Sequence, residues 1–111
     1  MSRQWSLEAA REILPDVRDR TARAVARVAT LEAVCERAAP GSRERAEALA
    51  EQRSAVSQWM RDMEALGLAV EGLWRVDFEM SEGAYCWGWP EERLAFFHTP
   101  EAGFEGRVPI Q

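Results

Sequence analysis

The apolar residues of this chain repeat with one period up to Gly67 and with another after Gly72, and nothing else constrains the fold as much. Leu7, Ala10, Leu14, Val17, Thr21, Ala24, Val28, Leu31 and Cys35 alternate spacings of three and four, the mark of a helix with one seam. From Trp74 the pattern is of period two: Trp74-Arg75-Val76-Asp77-Phe78-Glu79 alternates apolar with charged, as a half-buried strand does. A helical scaffold followed by a sheet is the only simple reading.

Local signals set the boundaries. Ser6 is a suitable N-cap, with Glu8 in the first turn. Pro15 lacks an N–H and its ring crowds the preceding turn, so a kink or break is expected at Leu14. Ala39-Pro40-Gly41-Ser42 ends the first helix and caps a second, from Arg43 to Leu66, with Ala46, Leu49, Val56, Met60 and Met63 on one face, interrupted by Arg53. So short a connection implies an antiparallel hairpin with arms of about 35 Å. Ser81-Glu82-Gly83 and Pro90-Glu91-Glu92 are turns that separate Ala84–Trp89 and Arg93–His98 as two further strands. The expected fold class is therefore α+β in a single domain, 1–111. A helical hairpin over 6–67, kinked near Pro15, precedes a three-stranded antiparallel β-meander over 73–99 and a loop tail over 100–111. Strand residues that are aromatic on both faces call for cover on both, here from the helices and a dimer mate.

Composition narrows the chemistry. All 14 basic residues are arginine, so there is no Schiff-base or phosphate-loop lysine. Arginines and acids balance through Gly67, which leaves the whole formal charge of -5 on residues 68–111, where eight of the aromatic residues also lie. Nucleic acid and membranes are disfavoured as partners, because the aromatic surface that could engage them is the negative one. One histidine and two cysteines exclude a Cys-rich zinc module and a disulfide framework. No apolar run approaches the roughly 18 residues of a membrane span, and the charged start excludes a secretory signal, so a cytoplasmic address is expected.

Ser6-Leu7-Glu8-Ala9-Ala10-Arg11 with Leu14-Pro15, then Asp77-Phe78, Cys86-Trp87, His98 and Gly103-Phe104-Glu105-Gly106-Arg107, together resemble a small bacterial family known only as domain of unknown function 2203. The resemblance spans nearly the whole chain and implies a cytoplasmic helical hairpin with a sheet; it supplies no activity. The segment between Asp77-Phe78 and Cys86-Trp87 is short for the family, which leaves the hairpin register open. Phe97 precedes His98 where the family favours tryptophan.

Asp77, Cys86 and His98 come from three successive strands. A carboxylate, a thiolate and an imidazole suit zinc, iron or another transition metal, with Glu79 or Glu91 as fourth ligand. Register decides whether they meet: pairing Phe78 with Cys86 separates Asp77 from the thiol, whereas a loop of Met80 to Gly83 sets Asp77 opposite Cys86. The competing reading buries Cys86 as an apolar residue, pairs Asp77 with Arg107 and ends a strand at His98. Thiol catalysis by Cys86 with His98 is disfavoured, since acidic and aromatic surroundings raise a thiol pKa. Trp87 and Trp89, with Trp74, Tyr85, Asp77 and Glu79, could cage an organic cation, against the plainer role of filling a small core. Arg107 could bind an anion or, more simply, clamp a carboxylate that pins the tail while Phe104 plugs the core.

The sequence thus points first to a non-catalytic cytoplasmic interaction domain that self-associates as a dimer. A small metal-binding or metal-sensing protein using Asp77, Cys86 and His98 is the alternative, and an aromatic-cage binder the third.

Overall fold

The computed structural model describes residues 3–111. Two long helices, α1 (Leu7–Arg37) and α2 (Arg43–Ala65), form an antiparallel hairpin that is followed by a five-stranded antiparallel sheet. The strands are β1 (Ala69–Gly72), β2 (Arg75–Met80), β3 (Gly83–Gly88), β4 (Phe96–His98) and β5 (Val108–Pro109), in spatial order β1-β2-β3-β4-β5. Both helices start as their caps dictate. Ser6 Oγ accepts from Ala9 N at 3.0 Å, and Ser42 Oγ from Arg45 N at 3.2 Å. No helix among the described residues is long and apolar enough to cross a membrane.

The α1 seam lies inward as its spacing requires: Ala10, Leu14, Val17, Thr21, Leu31 and Cys35 are buried. Of the kink or break expected at Leu14, the break does not occur, since α1 runs unbroken through Pro15. Burial of Ala10, Leu14 and Val17 on either side of the prolyl ring offsets the roughly 3 kcal/mol that its lost hydrogen bond and crowding cost.

The inward face of α2 differs from the expected one. Ala48, Trp59 and Met63 are buried, whereas Leu49 and Met60 are exposed. Polar groups account for the shift in phase. Trp59 Nε1 donates to Thr21 Oγ1 at 2.8 Å inside the hairpin, and Gln52 Nε2 donates to the Val28 carbonyl at 3.2 Å. A buried indole with a partner for its N–H outweighs a leucine left on the surface.

Trp5 ties the two layers together. Its backbone N–H donates to the Glu79 carbonyl, its Nε1 donates to the Gly67 carbonyl at 3.0 Å, and its ring meets Phe78 edge-on at 5.2 Å. Around it the main core gathers Leu14, Val17, Met63, Val76, Phe78, Trp87 and Leu94. A second, much smaller cluster of Leu31, Cys35 and Ala48 sits toward the far end of the hairpin, which gives the molecule its long dimension of 50 Å.

The expected three-stranded meander is the centre of the sheet, and the sheet is wider. β1 adds an edge before it and β5 an edge after it, so the tail is not all loop: a 3-10 turn at Phe104–Gly106 leads into β5. Strand β4 is also shorter than Arg93–His98, because Leu94 turns into the core and its carbonyl accepts from Arg11. The β1–β2 turn holds Trp74 at φ 62, a conformation costly for a bulky residue. The Trp74 ring packs edge-on against Trp59 at 5.0 Å, which stabilises the turn.

Candidate metal centre

Register settles the question the sequence left open. Asp77 pairs with Cys86 across β2 and β3, and Ala84 pairs with His98 across β3 and β4. The hairpin closes at Met80 and Gly83, so the pairing that unites the three residues is the one formed. Alternation along the strands then sorts the side chains. Val76, Phe78 and Trp87 join the core with the helices, which sends Asp77, Cys86 and His98 to the opposite face.

That face is nonetheless buried, with Asp77 3 %, Cys86 0 % and His98 7 % exposed. The C-terminal segment supplies cover on this face. The Phe104 ring lies against Gly88, Arg107 stacks on Phe96 at 4.3 Å and on Phe104 at 4.6 Å, and Arg75 approaches Phe104 at 4.8 Å. Gly83 permits this closeness: its φ is +149, and a Cβ there would collide with the His98 carbonyl.

One oxygen, one sulfur and one nitrogen from Asp77, Cys86 and His98 lie within 4.8 Å of one another. The orientation of His98 follows from its partners. Nδ1 lies 2.9 Å from the Thr99 carbonyl, which can only accept, so Nδ1 carries a proton. Nε2 is thereby turned toward Asp77 Oδ2 at 2.8 Å, and one further proton lies between these two atoms. A backbone carbonyl on one ring nitrogen with the other aimed at acidic donors is the arrangement that orients metal-binding histidines.

The electrostatics agree with a site short of positive charge. Burial pushes the Asp77 carboxyl up to about 6 against the pull of His98, and nearby Glu71 adds to the rise. Asp77 Oδ1 is buried without a hydrogen-bond partner. Burial pushes the Cys86 thiol up to about 11, partly opposed by Arg107. For His98, burial lowers the pKa, but the Thr99 carbonyl and Asp77 outweigh it and the net shift is upward. Cys86 has no free imidazole nitrogen to activate it, since both ring atoms of His98 are engaged.

The remaining candidates fall into structural places. Arg107 does clamp a carboxylate, but the acid is Glu91, through Nη1 at 3.1 Å and Nη2 at 2.5 Å, and not Asp77. Glu91 is thereby occupied, and its other contact is to Gly88 N. The acid whose charge reaches Asp77 is Glu71, on the β1 strand that the sequence reading passed over. Trp87 is fully buried with its Nε1 donating to the Glu91 carbonyl at 2.8 Å, whereas Trp89 is 36 % exposed. A buried indole has no face to offer a cation. Phe104 is only half-buried and caps the outer face instead of filling the main core.

No curated protein and no solved structure matches the chain. A family model described as "Uncharacterized conserved protein (DUF2203)" matches residues 3–110, which takes in the hairpin, the sheet and the three converging side chains. The chain belongs to this DUF2203 family.

Proposed function

We propose that this chain is a small metal-binding protein that holds a divalent transition ion through Asp77 Oδ, Cys86 Sγ and His98 Nε2. The observation that carries the reading is the convergence of these three buried donors, with His98 held by the Thr99 carbonyl so that Nε2 faces inward. One sulfur, one nitrogen and one oxygen donor suit Zn²⁺ or Fe²⁺ better than Mg²⁺ or Ca²⁺, which prefer oxygen throughout. The ion would replace the proton between Asp77 and His98 and the proton on Cys86, and Glu71 is the nearby acid available for a fourth position. Because Asp77, Cys86 and His98 lie on β2, β3 and β4, an ion there would pin three strands together beside Arg107, a structural or sensing role.

Metal analysis of the purified protein and thermal unfolding with added Zn²⁺ or Fe²⁺ test the proposal. One equivalent of metal, or a rise in Tm that Cys86→Ala and His98→Ala abolish, is expected. Absence of stoichiometric metal together with an unchanged Tm would overturn it.

Self-association as a dimer is a second reading, supported by the apolar residues that α2 turns outward. Leu49 and Met60, with Leu73 in the β1–β2 turn, are exposed. Light scattering after size exclusion tests it, and a clean monomer at micromolar concentration would remove it.

A further inference from the structure

A cleft of about 780 Å³ opens between the N-terminal half of α1 and the connection from β3 to β4, apart from the candidate metal centre. Three guanidinium groups line it, those of Arg11, Arg18 and Arg93, against a single acid, Glu92. None of the three arginines forms an ion pair among the described residues, although the chain as a whole is acidic. Arg18 is half-buried, and its Nε lies out of solvent with no hydrogen-bond partner. Such an atom costs free energy unless something accepts from it. Arg11 is held at the rim, donating through one nitrogen to the Leu94 carbonyl and keeping its other N–H groups available. The rest of the lining includes apolar Leu14, Pro15 and Ile110.

We propose that this cleft binds a small organic dianion of the phosphate-monoester class, its head on Arg18, Arg11 and Arg93 and its apolar body against Leu14, Pro15 and Ile110. Charge and shape both enter the choice. Guanidinium forks match phosphate oxygens in pairs, and three unpaired cations suit a dianion better than a single carboxylate. The volume is that of small-molecule sites, and an apolar wall beside a few convergent polar groups is their usual lining.

Phenyl phosphate is the probe, titrated calorimetrically into the full chain in phosphate-free and metal-free buffer, with phenol as the neutral control. Saturable one-to-one binding of phenyl phosphate is expected, with phenol at least about tenfold weaker because it lacks the charge-assisted bonds. Arg18→Gln should weaken phenyl phosphate by about tenfold or more, while Arg53→Gln, exposed on α2 and outside the cleft, should leave it unchanged. If Arg18→Gln fails to fold, Arg93→Gln at the exposed rim carries the same test. No saturable binding, equal binding of phenol, or full affinity in a folded cleft-arginine variant would overturn the proposal.

Discussion

Asp77 and His98 face each other at 2.8 Å on the outer side of the sheet, with Cys86 directly opposite Asp77 on the strand between them. Three strands each contribute one donor, so the cluster exists only while the sheet keeps its register.

Metal affinity should rise with pH. The Cys86 thiol, pushed up to about 11, is protonated at neutrality and must lose its proton to an ion. Affinity for Zn²⁺ is therefore expected to climb by about tenfold per pH unit for each proton displaced. The climb is about a hundredfold per pH unit while both the Cys86 proton and the one shared by Asp77 and His98 are present. Below about 6, where Asp77 is protonated as well, the fall on acidification should steepen. Competition titrations against a chelator of known affinity at several pH values measure the slope; a flat profile contradicts the ligand set.

Gly83→Ala should be severe. The added Cβ meets the His98 carbonyl at a backbone conformation that alanine resists. A loss of at least roughly 2–3 kcal/mol in chemical denaturation is expected, from strain and from displacement of β4. Because His98 moves with β4, the same variant should lose zinc-induced stabilisation.

Arg107→Lys should destabilise although charge is kept. The lysine loses the two-pronged contact with Glu91 and the stacking on Phe96 and Phe104. The expected cost is roughly 1–2 kcal/mol, read as a lower denaturation midpoint. An unchanged midpoint would show that the clamp does not hold the C-terminal segment down.

The bond between Trp59 and Thr21 lends itself to a double-mutant cycle. Thr21→Val leaves the indole N–H without a partner in the core and should cost about 1–3 kcal/mol. Adding Trp59→Phe removes the stranded donor, so the second substitution should cost less in the valine background than alone. Additive losses would mean that the bond contributes nothing of its own.

Much of this architecture was legible from residue spacing, and the failures have physical causes. The α1 seam reads correctly because its apolar residues share one face, which packs on both α2 and the sheet. On α2 the inward positions include Gln52, which is partly buried and hydrogen-bonded to α1, while Leu49 and Met60 face out, so hydropathy chose the wrong phase. Strands β1 and β5 are too short to display alternation, and β5 includes Pro109, which has no N–H to give a ladder. The three donors could be named from their residue types. Their convergence could not, because the register turns on where the Ser81-Glu82 turn closes. Glu71 was missed along with its strand; the run Leu68-Ala69-Val70 between Gly67 and Gly72 was the available signal.

The two hydrophobic clusters have very different sizes, and that inequality divides the molecule energetically. Next to the sheet, large rings and branched chains must all part company before a backbone amide is freed. At the outer end of the hairpin the buried group is Leu31, Cys35 and Ala48, with Gln52 bonded beside it to the Val28 carbonyl and the Cys35 thiol. Amides near Gly41 should thus trade hydrogen for deuterium long before those of β2 and β3, through openings that leave the sheet intact. A surface at that end could be remodelled by a partner at little cost, while the donors on the sheet stay in place.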